Sequence, residues 1–216
     1  MGGLAAILSG VVAFVGNIFL ILFYVLEASH LLETRSMTGP AFFGRANDTA
    51  TGIQAFLMIP IVLAFLGVVQ LLASVSVWQR VVAIAVIISL LIISCIQLLY
   101  ALSMIGVDAQ TIFVLPAWGI VGLWMILTHH RAYTHRLFKK SLAWLGIVVG
   151  AAYILMFISF YIFGGQVATA TGDPSTLVSN YPFMISIMVS LLIGFFVYPI
   201  WAIWLGRLFL SGRVTG

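Results

Sequence analysis

The chain has 216 residues, 63% of them hydrophobic and 6% charged, and a net charge of +4. A soluble domain carries about 25% charged residues, so this composition cannot cover a water-facing surface, and lipid must be the solvent for most of the chain. Mean hydropathy of +1.24 points the same way. A spanning helix takes roughly 20 apolar residues, so about six helices with short connections fill these residues and leave no room among them for a soluble catalytic domain.

Apolar runs predict an all-α transmembrane bundle, a single domain over 1–216, with helices at about 4–30, 53–77, 81–105, 111–129, 141–164 and 182–210. Leu4 to Leu26 reads as the first span, being too long for a signal-peptide core and lacking a basic leader. A first long loop is marked by Met37-Thr38-Gly39-Pro40 and Ala46-Asn47-Asp48-Thr49. Tight turns follow at Trp78-Gln79-Arg80 and Gly106-Val107-Asp108, then a basic loop from His129 to Lys140. A polar loop runs from Gly164 to Pro182.

Lys and Arg asymmetry sets the expected orientation. With both termini cytoplasmic, Arg80, Arg131, Arg136, Lys139, Lys140, Arg207 and Arg213 lie inside, and Arg35 and Arg45 outside. The acids Glu27, Glu33, Asp48, Asp108 and Asp173 then all fall outside. Aromatic belts agree: Trp78, Trp124, Trp144, Trp201 and Trp204 near the inner boundary, and Tyr24, Tyr100, Tyr161 and Tyr181 near the outer one. The basic balance therefore reflects topology, and no nucleic-acid partner is expected. Two inverted three-helix halves are conceivable on helix count, but no residues match between them.

Few features carry chemistry. Gly146-x-x-x-Gly150 is a close-packing motif, expected to serve the bundle itself before a dimer seam. Pro60, Pro116 and Pro199 fall inside predicted helices and are read as structural kinks. Asn17, Gln54, Gln70 and Gln97 are the amides at membrane depth, and form either interhelical bonds or a polar path. No Lys, Arg, Asp or Glu lies near a predicted helix centre, which disfavours ion-coupled transport.

Glu27-x-x-His30-x-x-Glu33 is the best metal-like constellation, with its members near one helix face. The bland reading is a solvated helix end. His129, His130 and His135 are expected at the inner surface, near anionic headgroups. Retinal is excluded because the only lysines, Lys139 and Lys140, sit in a loop. Cys95 reads as an inert core thiol. Asn47-Asp48-Thr49 fits an outer glycosylation sequon.

Pro116-Ala117-Trp118, Trp144-Leu145-Gly146 through Gly150, and Tyr198-Pro199 through Arg207 resemble the small bacterial membrane proteins of the DUF4386 type, mainly in the second half of the chain. The resemblance implies the architecture and a bacterial inner-membrane location, and brings no activity or catalytic residues. Three functions follow. The first is a non-enzymatic membrane protein, either an accessory subunit of a complex or a binder of lipid or apolar small molecules. The second is a channel or transporter for a neutral or hydrophobic solute. The third is a metal or cofactor protein using Glu27, His30 and Glu33.

Overall fold

The computed structural model describes residues 1–27, 42–72, 77–163 and 180–212. They form six helices: α1 (Gly2–Leu22, continued by one π-helical turn over Phe23–Glu27), α2 (Phe42–Leu72), α3 (Val77–Ala101), α4 (Val107–Thr134), α5 (Lys140–Tyr161) and α6 (Tyr181–Leu210). All six are long and apolar enough to cross a membrane. Helices suit that solvent because every backbone polar group bonds within its own segment. Each helix packs on its neighbours in the chain, and α1 also packs on α6, so the six close into a ring.

Small residues close that ring. The buried face of α1 is Gly3, Ala5, Ala6, Ser9, Gly10, Ala13 and Gly16, a stripe at helical spacing that lets neighbouring backbones come near. A Cβ on Gly206 would lie 2.5 Å from the Gly3 carbonyl oxygen, which fixes the start of α1 beside the end of α6. On the opposite side of α1, Gly2 faces Ala64 and Gly16 faces Ala50 of α2. The α4–α5 seam is built alike, with Gly122 against Gly150.

Every seam of the ring also carries an interhelical hydrogen bond. Ser9 of α1 donates to the Gln54 carbonyl of α2 (3.4 Å), and its hydroxyl bonds that of Tyr198 of α6. Ser94 donates to the Gly52 carbonyl (2.9 Å), Gln110 to Gln97 (2.8 Å), Tyr161 to the Ile112 carbonyl (3.3 Å) and Ser159 to Ser186 (2.6 Å). Lipid tails provide no hydrophobic drive between helices, so these bonds, at roughly 0.6 kcal/mol each, add to close packing as the glue.

Several boundaries depart from the sequence reading. Helix α2 begins at Phe42, eleven residues before the expected start at 53, and its 31 residues span about 46 Å, more than the roughly 30 Å of hydrocarbon. Its first turns are stabilised from outside: the Phe43 amide donates to both oxygens of the Glu27 carboxylate at 3.2 and 3.0 Å. A carboxylate at a helix N-terminus satisfies an orphan donor and complements the dipole. Asn47-Asp48-Thr49 is therefore helical and packed against α1, not an open sequon. Trp78-Gln79-Arg80 is the first turn of α3, and α4 runs on to Thr134, which shortens the basic loop. Pro60, Pro116 and Pro199 do lie within helices. Helix α6 starts on an Asn180 cap, whose Oδ1 accepts from the Phe183 amide at 3.2 Å, with Pro182 in the first turn.

The placement of one side chain also changes. Cys95 faces outward from α3 rather than into the core. Trp124 and Trp201 are buried within the bundle, whereas Trp78 and Trp144 are exposed.

Candidate functional site

Aromatic rings fill the middle of the helix ring, where a pore would run. From Trp118 the contacts pass to Tyr153, Tyr198, Trp201, His129 and Phe65, with successive centroids 4.5, 6.3, 5.6, 5.4 and 5.1 Å apart. Phe65 then meets Trp124 and Phe138.

His129 is the hinge of this column. It is fully buried, with its ring against α5 at Gly146, where a Cβ would lie 2.1 Å from its Cδ2. Trp201 Nε1–H donates to His129 Nε2 at 2.9 Å. An indole nitrogen can only donate, so Nε2 carries no proton, and Nδ1–H donates to the Met125 carbonyl at 2.8 Å. The neutral tautomer is thus set by its two partners. This differs from the expected headgroup contact at 129. Only His130 and His135 of that trio are exposed.

Two of the four amides, Gln54 and Gln97, are engaged in different contacts. Gln54 is buried and donates to the Tyr153 hydroxyl across the ring at 3.5 Å. Gln97 is committed to Gln110 in the α3–α4 seam. Asn17 is half-buried on α1 and has its own partner. The Gln70 side chain lies outside the described residues. The motif glycines Gly146 and Gly150 both face α4.

Of the metal-like trio, Glu27 is engaged in capping α2. His30 and Glu33 lie outside the described residues, as do Asp173 and the Asp108 side chain. Asp48 is 8% exposed, within electrostatic reach of Tyr100 at the C-terminal end of α3. No group of three or more His, Cys, Asp or Glu side chains comes together among the described residues.

Comparison with protein-family models, curated proteins and solved structures gave no match.

A groove of about 460 Å³ opens between the end of α2, the start of α3 and the last turns of α4. Its floor is Phe65, Leu66, Val82, Trp124, Leu127 and Phe138, and its rim carries Trp78, Gln79, His130, Arg131 and Thr134. Ligand sites have this form, an apolar interior with a few polar groups that orient the guest. It lies at the end of the bundle that bears Arg80, Arg131, Arg136, Lys139 and Lys140. Sequence reasoning missed the groove because its walls come from three helices and the loop after α4, and Trp78, Gln79, Trp124, His130 and Arg131 read separately as belt, turn and loop residues.

Proposed function

We propose that this chain is a non-enzymatic integral membrane protein that holds a lipid-like amphiphile in the groove between α2, α3 and α4. The groove carries the proposal: its apolar floor continues into a polar, basic rim at a bundle end, and a molecule with a tail and a headgroup matches that gradient. The filled centre of the helix ring supports binding at this site over passage of a solute through the bundle. Glu27 has a structural partner, which favours binding over metal chemistry at that position.

The same reading places the basic end in the cytoplasm of a bacterial cell and the groove in the inner leaflet, on the Lys and Arg asymmetry and the likeness to the DUF4386 type.

Val82 tests the groove directly. Val82→Trp puts an indole where the guest's tail would lie. Native mass spectrometry of gently solubilised protein is expected to show one retained amphiphile on the wild type. At least half of that adduct is lost in Val82→Trp. Equal retention by both proteins would mean that the guest sits elsewhere.

A further inference from the structure

We propose that the groove selects an anionic phospholipid of the surrounding leaflet, with its phosphate held by Arg131 and His130. The inference rests on the amphiphile reading above and adds the class of headgroup.

The argument begins with charge. Among the described residues that line the groove there is no acid, and its charged side chain is Arg131. A guanidinium presents a planar fork of donors that matches phosphate oxygens. Arg131 is half-buried in the last turn of α4, and the exposed His130 is next to it. Gln79 and Thr134 supply neutral polar edges to the same rim. A zwitterionic headgroup would bring its own cation into this field. An anionic one brings only complementary charge.

The apolar floor sets the other half of the guest. Phe65, Trp124 and Phe138 are buried, and the Phe65 ring contacts each of the other two, so they form a wall against which an acyl chain lies at little cost in protein ordering. Two exposed or half-buried residues from α3, Trp78 and Val82, face it from the other side. Trp at this depth suits the boundary between tail and headgroup.

A competing role for Arg131 needs no lipid. A cation in the last turn of a helix complements the dipole, and Arg131 occupies that place in α4. That role concerns folding alone and gives no preference between headgroups, so headgroup preference separates the two.

The test is thermal unfolding of delipidated full-length protein in neutral detergent, titrated with dioleoyl phosphatidylglycerol or dioleoyl phosphatidylcholine. A ligand that binds the native state raises the midpoint in proportion to occupancy. Phosphatidylglycerol is expected to act at about five- to tenfold lower concentration than phosphatidylcholine, the effect of one or two cations near an anionic lipid. Arg131→Gln removes the difference and Arg131→Lys keeps most of it. Arg207→Gln, which removes a cation at the same end outside the groove, leaves it intact. Raising the salt concentration narrows it. Equal shifts from both lipids on the wild type overturn the headgroup inference and leave the amphiphile reading standing. No shift from either lipid overturns the amphiphile reading itself.

Discussion

Gly146→Ala is expected to lower the stability of the bundle by about 3 kcal/mol, combining overpacking with the loss of a buried hydrogen bond. The new Cβ would meet the His129 ring at 2.1 to 2.4 Å, well inside contact distance. The ring cannot turn away freely, because Trp201 and the Met125 carbonyl hold its two nitrogens, and Phe65 and Phe138 flank it. Displacement strands the Trp201 N–H in the core. The decisive readout is a double-mutant cycle followed by denaturant unfolding in detergent. In a His129→Ala background the obstructing ring is gone, and Gly146→Ala becomes close to neutral. If the two losses simply add, the close approach of Gly146 to the ring is not what the glycine provides.

Gly206→Ile is the second large effect, because it strikes the closure of the ring. Even an alanine Cβ there would lie 2.5 Å from the Gly3 carbonyl oxygen, 2.6 Å from Ile7 Cγ1 and 2.9 Å from the Ile7 amide nitrogen. Two of these atoms are backbone, so the helices must separate. The buried face of α1 consists of small residues, and has no long side chain to refill the gap. A loss of about 3 kcal/mol or more follows from overpacking together with lost seam contacts, read as an earlier unfolding midpoint and faster proteolysis near the N-terminus. Gly194→Ala is the matched control in the same helix. Nothing lies within 4 Å of its added Cβ, so α6 keeps its packing and gains up to about 1 kcal/mol in helix propensity. Equal destabilisation at 206 and 194 would contradict the packing account of the α1–α6 seam.

Much of the fold was legible because hydropathy reports the hydrocarbon crossing itself, and each of the six runs became a helix. The errors arose where helices leave the hydrocarbon. Phe43 to Thr51 has the polarity of a loop, with Gly44, Arg45, Asn47 and Asp48 close together. It is helical because Glu27, distant in sequence, caps its start and α1 packs along it. Neither cause is visible in a hydropathy window. The end of α4 was lost for the same reason, and with it the role of His129.

That role had a signal. Val114, Trp118, Val121, Met125, His129 and Ala132 are all buried on one face of α4, at steps of three and four residues. Following this period past Thr128 points His129 inward with Trp118 and Met125. The stripe Gly3, Ala6, Gly10, Ala13 and Gly16 in α1 was equally readable, but attention went to the glycine pair of α5. The groove was not readable in this way. Its floor joins residues of α2, α3, α4 and the loop after α4, whose meeting depends on how the helices are arranged around the ring.

The proposed ligand site is the groove at the basic end, not the middle of the helix ring. A photoreactive phospholipid, with the diazirine on its acyl chain, tests it in native membranes. After irradiation and digestion, the account predicts crosslinks concentrated at Val82, Leu127 and Phe138. Crosslinks concentrated instead at Ser9, Gln54, Tyr153 or Tyr198 would contradict it and would make the interior of the bundle the site.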